Sequence, residues 1–315
     1  MAALGQTPTV DHAGPVGPAG SEDALVTVAA RAGTKRERPR WTPATTATFL
    51  ALILVTALFL FPVFWALNTS LQTTAEQQSL PVVWWPDDLQ WSNFKAAWTY
   101  LPFTDYLWHS LIIVVSVTVG SVLSASAVAY GLSRLKYAGR EFWFNVVLST
   151  MMMPFVVTLI PQYLVFERLG WLNSYWPLVV PAFFGGGPFN IFLLRQFMRS
   201  IPREIDEAAF VDGANHWQIY SRIVMPMVKP ALAVTGWMTA LGAWGDFLGP
   251  LVYLSTPDKW TVGLGLYSFP ISPPAGWGDQ LVVGIALLVM LPVVIGFFFI
   301  QRLLVEGVNL TGVDR

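Results

Sequence analysis

The residues of this sequence that could do chemistry are few, and they do not form a catalytic set. There is no cysteine, which excludes disulfides, thiolate metal sites and a cysteine nucleophile. No His-Glu-x-x-His spacing occurs, and His216 has no cysteine near it, so we expect no metal centre. The phosphate-cradling pattern Gly-x4-Gly-Lys-Ser/Thr is also missing. We therefore expect no ATP site, no resident cofactor and no enzymatic activity in this chain.

One polar segment between long apolar stretches has the composition of a docking surface. It opens with a proline and three acidic residues, which the positive end of a helix dipole favours. Ala208 and Ala209 then leave a thin helix surface, and Gly213 permits a sharp turn at positive φ. A second amphipathic stretch follows over 215–225, and Pro226 is predicted to end it. This pattern predicts a short helix–turn–helix with a small-residue face that fits a groove on a soluble partner.

Asp246 is the one acidic residue inside an otherwise apolar stretch, residues 230–254. An ionisable residue at membrane depth is by default a hypothesis for a functional site. Asp246 could accept hydrogen bonds from the hydroxyl groups of a substrate or line a cavity, or it could cap a break in the helix near Gly245. Trp244 lies two residues away, and we group it with Asp246 as a candidate for the substrate path.

The composition indicates a membrane protein. Hydrophobic residues make up 54% of the 315 residues and charged residues only 12%, whereas soluble domains carry about 25% charge. Five stretches without Asp, Glu, Lys or Arg each exceed the roughly 20 residues that a helix needs to cross a bilayer. Together with 230–254 they predict six transmembrane helices and an all-α, polytopic fold. The charge-free stretches are 41–75, 106–133, 142–166, 169–194 and 280–301.

The basic residues predict the orientation of these helices. With the N-terminus in the cytoplasm, fifteen Lys and Arg residues fall in inside segments and three in outside segments. Both termini are then cytoplasmic, in a cell membrane protein. The predicted organisation is a disordered tail over 1–40, a six-helix domain over 41–304 and a cytoplasmic tail over 305–315. Its longest inside connection is 198–229, hereafter the 198–229 loop.

The segment starting at Glu207 resembles the signature of a known family. Glu207-Ala208-Ala209, three residues, Gly213, nine residues and then Ile223-Val-Met225-Pro226 is similar to the EAA motif of binding-protein-dependent ABC importer permeases. The resemblance implies a type I (MetI-like) permease fold and a coupling helix in the 198–229 loop that seats in a separate ATPase. The residues implied in docking are Glu207, Ala208, Ala209, Asp212, Gly213, Ile223, Met225 and Pro226.

Further segments resemble the carbohydrate branch of that family, the MalG-like permeases of maltose systems. Residues 130–139, 169–176 and 192–197 are similar to that branch, and the resemblance extends over about residues 45–312. It implies a di- or oligosaccharide as substrate, with glycerol 3-phosphate or another polyol as the alternative. An ion-coupled secondary transporter is a further alternative, although it would need more intramembrane carboxylates than Asp246.

The resemblance also implies the partners. They are a second homologous permease, a dimeric ABC ATPase that binds ATP and Mg, and an extracytoplasmic sugar-binding protein. No nucleic acid is expected, because the net charge is near −1. The outside loop after the fifth span is expected to contact the binding protein, or to pack on the partner permease. Its candidate contact residues are Trp260, Tyr267, Phe269 and Trp277.

Overall fold

The computed structural model describes residues 42–269 and 278–309, with side chains up to Leu303, and this part of the chain is helical without any strand. The predicted all-α class is therefore confirmed for the described residues. The tail 1–40, Trp277 and residues 310–315 lie outside them. The helices of nine or more residues are α1 (Pro43–Ser70), α2 (Ser92–Tyr100), α3 (Phe103–Arg134), α4 (Arg140–Thr150), α5 (Phe155–Arg168), α6 (Pro188–Ser200), α7 (Arg203–Val211), α8 (Lys229–Trp244) and α9 (Asp279–Asn309).

Shorter helical turns connect these helices. Their bounds are Thr74–Gln77, Trp176–Val179, Val180–Phe183, His216–Gln218, Ile219–Val224, Met225–Met227, Leu248–Tyr253, Pro257–Lys259 and Val262–Ser268.

The chain divides into two compact units between Phe61 and Pro62. The described part of the first unit is the N-terminal portion of α1, a continuous apolar helix. The second unit holds everything after it.

Four helical segments of the described chain are long and apolar enough to cross a membrane, and two bent pairs raise this number to as many as six. The four are 43–70, 103–134, 176–200 and 279–303. The first bent pair, α4 and α5, turns by 97°. The bend occurs at Pro154, which lacks an amide hydrogen and restricts the residue before it. The predicted third span is therefore broken rather than straight.

The predicted fifth span, 230–254, is interrupted, in agreement with the predicted alternative of a break near Gly245. Helix α8 ends at Trp244, and the chain becomes helical again only at Leu248. The segment that forms a bent pair with α8 is the preceding 216–227, at an angle of 79°. Gly245 ends α8, because glycine is a poor helix former that ends helices readily.

The fourth span is interrupted at three consecutive glycines, Gly185, Gly186 and Gly187. All three have positive φ, at 97°, 67° and 91°, which a side chain would strain. The Ser124 hydroxyl of α3 donates to the Ala182 carbonyl at 2.8 Å. The Asn190 side-chain amide donates to the Gly186 carbonyl, also at 2.8 Å. These bonds satisfy carbonyls that the helix break leaves without an intrahelical partner.

Helix α3 is the central element of the second unit, where it packs against α6 and α8; α8 packs against α9, and α9 against α2. Two groups of buried side chains form the core. One lies under the 198–229 loop and includes Ala129, Leu194, Ile219, Val224 and Ala231. The other lies at the opposite end of α3 and includes Phe103, Tyr106, Val262, Phe269 and Ile285.

Candidate functional site

The 198–229 loop contains the predicted helix–turn–helix. Helix α7 ends in a Schellman motif: the Ala214 amide donates to the Ala209 carbonyl at 2.9 Å, and the Gly213 amide donates to the Phe210 carbonyl at 3.0 Å. Gly213 has φ of 84°, so the prediction that it turns the chain at positive φ is confirmed. The turn reverses the chain directly after the Glu-Ala-Ala sequence.

The second half of the loop is helical from His216 to Met227. Asn215 begins it with a capping box, in which its side chain and that of Gln218 each accept from the other's backbone amide. Residues Ile219–Val224 form a π-helical stretch just before Pro226. Pro226 has no amide hydrogen, so a regular α-helical bond pattern cannot run through it. The prediction that Pro226 ends the segment was wrong by one residue, because the helix continues to Met227.

The loop has one outward face. Glu207, Ala208, Asp212, Gly213 and Pro226 are exposed, whereas Ala209 is buried and Ile223 and Met225 are half-buried. Thus Ala209 packs inward, and its small side chain lets α7 lie close to the core.

Three large apolar side chains on this face are not part of the predicted docking set. Val211 is 87% exposed, Trp217 is 69% exposed and Phe210 is 45% exposed. An exposed apolar patch of this kind, next to acidic residues, is typical of a protein-binding surface. The amphipathic pattern of 203–211 could have identified Phe210 and Val211, since both fall outside its inward-facing positions.

The loop is attached to α3 by polar contacts. The Arg134 guanidinium lies 3.4 Å from the Asp206 carboxylate and donates to the Ile201 carbonyl at 3.0 Å. Tyr130 donates its hydroxyl to the His216 carbonyl at 3.2 Å. Both halves of the loop are therefore tied to one helix, α3.

A second set of contacts joins α6 to α4 next to the loop. The buried Arg195 guanidinium contacts both Glu141 carboxylate oxygens at 2.7 Å and lies 3.7 Å from the centre of the Phe144 ring. Partial desolvation raises the pKa of Glu141, but the positive charges of Arg195 and Arg140 outweigh it and hold the pKa below its ordinary value. Glu141 is therefore ionised at neutral pH, and the ion pair is intact.

A cavity of about 410 Å³ lies beside the non-helical residues that follow α8. Trp244 and Asp246 both line it, so the two candidates for the substrate path are brought together. The lining also includes the hydroxyl residues Ser110, Thr239 and Thr261. The Thr261 hydroxyl is buried and has no hydrogen-bond partner within the described residues. The cavity therefore offers a carboxylate and an indole to a polar molecule.

Asp246 has a structural contact as well as a place in the cavity. Its carboxylate accepts from the Gly249 amide at 3.1 Å, and so caps the turn that follows the break. A Cβ at Gly249 would collide with this carboxylate. Both predicted alternatives for Asp246, a cap and a cavity residue, are therefore compatible with its position.

The loop after α8 is held to α3 by two neighbouring residues of that helix, Ser110 and His109. The Ser110 hydroxyl accepts from the buried Val262 amide at 2.9 Å, and the His109 ring lies 3.1 Å from the Trp260 carbonyl. Of the candidate contact residues in this loop, Tyr267 is 57% exposed and Trp260 is half-buried. Phe269 is buried against Tyr100 and Phe103, which favours packing within the chain over contact with a partner protein. Trp277 lies outside the described residues.

Metal-ligating side chains do not cluster in the described part of the chain: no three of its His, Asp or Glu residues lie close enough to hold an ion.

Comparison with known proteins identifies the family. The family described as "Binding-protein-dependent transport system inner membrane component" matches residues 116–309, more than half of the chain. The maltodextrin transport system permease protein MdxG of Bacillus subtilis (strain 168) is 32% identical over 84% of this chain and 94% of its own length. The diacetylchitobiose uptake system permease protein DasC of Streptomyces coelicolor is 31% identical over 85% of this chain and 94% of its own.

A solved structure agrees on the fold. One chain of a bacterial ABC transporter involved in the import of the acidic polysaccharide alginate has a TM-score of 0.73, at 23% identity, over 84% of this chain and 99% of its own. These matches confirm the resemblance, the type I permease fold and the prediction of a transport subunit that is not itself an enzyme. The chain therefore belongs to the family of binding-protein-dependent transport system inner membrane components, as a multi-pass membrane permease of an ABC importer.

Proposed function

We propose that the chain forms one half of the translocation pore of a sugar importer, beside a second homologous permease. An extracytoplasmic sugar-binding protein delivers the substrate, and a dimeric ABC ATPase binds ATP and Mg on the other side. The names of its relatives support a di- or oligosaccharide, since they transport maltodextrin and diacetylchitobiose. Closure of the ATPase dimer moves the 198–229 loop, and the spans alternate between inward and outward access.

The observation that carries the docking proposal is the outward face of the 198–229 loop. Glu207, Phe210, Val211 and Trp217 are exposed on a segment whose backbone is fixed by the Schellman turn and by its contacts with α3. A preorganised surface loses little conformational entropy on binding. We propose that Glu207 pairs with a basic residue of the ATPase and that the three apolar side chains fill its cleft.

The cavity after α8 supports a neutral polyhydroxyl substrate. Asp246 can accept hydrogen bonds from sugar hydroxyls, and the Trp244 indole offers an apolar face. Among the described residues that line it there is a carboxylate and no Lys or Arg. A phosphorylated solute such as glycerol 3-phosphate would meet like charge there, so a neutral sugar is the better fit.

The proposed orientation follows the positive-inside distribution of Lys and Arg. It places both termini, the tails 1–40 and 305–315, and the 198–229 loop in the cytoplasm. The loop after α8 then faces outward, where Tyr267 and Trp260 are the proposed contacts for the binding protein.

The docking proposal is tested by replacing Glu207 with arginine in the assembled transporter in proteoliposomes. We expect uptake of maltodextrin-type sugars and binding-protein-stimulated ATP hydrolysis to fall at least tenfold, because a reversed charge opposes the proposed ion pair by more than 1.4 kcal/mol. Membrane insertion should persist, since Glu207 is exposed. The matched control is Glu167→Arg, which reverses an exposed charge at the end of α5. Undiminished uptake by Glu207→Arg would refute the proposal.

A further inference from the structure

A second cavity, of about 710 Å³, lies on the same end of the molecule as the 198–229 loop, between the α3–α4 connection and the start of α7. It is an open depression of the surface, and both basic and aromatic residues line it. Three basic residues line it. They are Lys136, Arg140 and Arg203.

Two of these cations are available to a ligand. Lys136 and Arg203 are exposed and make no hydrogen bond or ion pair within the described part of the chain. Arg140 instead has a structural role, because it donates to the Ser133 and Leu135 carbonyls. The cavity is therefore lined by two positively charged side chains without a partner among the described residues, next to a backbone segment that Arg140 stabilises.

The single acidic residue of the cavity does not cancel this charge. Glu141 is bound by the buried Arg195, with both carboxylate oxygens at 2.7 Å, and by Arg140 at 3.1 Å. Its negative charge is thus already compensated by two cations. The remaining field of the cavity is positive, and it suits an anion.

The aromatic wall places the cavity at the membrane surface. Phe142 lines it and is 64% exposed, and the neighbouring Trp143 is 57% exposed. These residues begin the uncharged stretch 142–166, and aromatic side chains at such a boundary lie at the level of the lipid headgroups. The cationic wall therefore continues directly into a lipid-facing apolar wall.

We propose that this cavity binds the headgroup of an anionic phospholipid of the inner leaflet. Its phosphate would lie against Lys136 and Arg203, and its acyl chains along Phe142 and Trp143. A basic pocket next to transmembrane helices is suited to such headgroups. A soluble anion would use the cationic wall only, whereas a phospholipid uses both walls. The site rests on the proposed cytoplasmic orientation of this end, but not on the identity of the transported sugar.

The test is native mass spectrometry of the purified, complete transporter with phosphatidylglycerol or phosphatidylcholine. We expect wild type to bind phosphatidylglycerol more tightly. The variant Lys136→Gln/Arg203→Gln should lose about 30-fold in phosphatidylglycerol affinity, which corresponds to about 1 kcal/mol for each of two cations. Phosphatidylcholine binding should not change. The charge-preserving variant Lys136→Arg/Arg203→Lys should retain the affinity. The matched control, Arg199→Gln/Lys229→Gln, removes two exposed cytoplasmic-end cations that do not line the cavity.

Three results would overturn the proposal. Equal affinity of wild type for both lipids, with inorganic phosphate displacing each of them, would indicate a site for a free anion. An equal loss in the control variant would indicate a general effect of surface charge. Loss of ATPase co-purification with unchanged phosphatidylglycerol binding would make the cluster a protein contact. Sugar uptake is measured separately, so failure of the proposed transport function leaves the lipid result interpretable.

Discussion

Replacement of Gly213 by alanine tests whether coupled ATP hydrolysis and uptake require the Schellman turn of the 198–229 loop. Gly213 has φ of 84°, and a Cβ built there meets nothing within 4 Å. The substitution therefore adds backbone strain without a steric clash. A non-glycine residue in this conformation costs about 1–2 kcal/mol, which is about a 5- to 30-fold shift against the native turn. We expect binding-protein-stimulated ATP hydrolysis and uptake to fall by up to that factor.

The chain provides a matched control for this experiment at the end of α5. Gly170 has φ of 68° and open space around its Cα. It also ends a helix in the same motif: the Trp171 amide donates to the Phe166 carbonyl at 2.9 Å, and the Gly170 amide donates to the Glu167 carbonyl at 2.9 Å. Gly170→Ala should therefore cost the same strain in a turn remote from the 198–229 loop.

The two variants are compared in proteoliposomes by thermal unfolding, uptake and ATP hydrolysis. Both should lower the unfolding temperature to a similar extent, but only Gly213→Ala should lower coupled hydrolysis. Gly213→Asn should recover part of the activity, because asparagine tolerates positive φ better than alanine. Equal losses of coupling in Gly213→Ala and Gly170→Ala would refute the reasoning, since strain alone would then explain the effect.

Three further predictions concern buried polar side chains. Asp206→Asn should destabilise the protein by about 3 kcal/mol in chemical denaturation, because it leaves the buried Arg134 charge without a carboxylate; an additive cost in Arg134→Met/Asp206→Asn would contradict this coupling. Ser110→Ala should cost about 1–3 kcal/mol, because the buried Val262 amide loses its acceptor. Thr261→Val replaces a buried hydroxyl that has no partner within the described residues by a methyl group of similar size, so it should raise the unfolding temperature. A lower unfolding temperature would show that this hydroxyl is hydrogen-bonded in the assembled transporter.

Much of the fold could be predicted from the sequence, because its main determinants are local. A charge-free run of more than about 20 residues must be helical in lipid, whatever surrounds it. Gly213 could likewise be interpreted directly, because the conformations in which glycine is favoured are a property of the residue itself. The spacing from Glu207 to Pro226 was sufficient to indicate the family.

The breaks in the helices were less predictable. Hydropathy does not distinguish a straight span from two helices joined at 97°, so Pro154 and Gly245 could be suspected as weak points but not assigned as ends. Whether a proline or glycine bends or ends a helix depends on which neighbours can satisfy the freed backbone groups.

The sequence by itself thus determined a helical membrane permease and the position of the segment that we propose to dock the ATPase. Only the tertiary structure decided which side chains act together. Arg195 and Glu141 are 54 positions apart, Ser110 reaches Val262 across 152, and Thr261 lines a cavity with Asp246. The sequence also did not determine which apolar side chains are buried: Phe269 packs inside, whereas Val211 is exposed. Such pairings depend on how α3 packs against α6 and α8, which is a property of surfaces remote in sequence rather than of any local pattern.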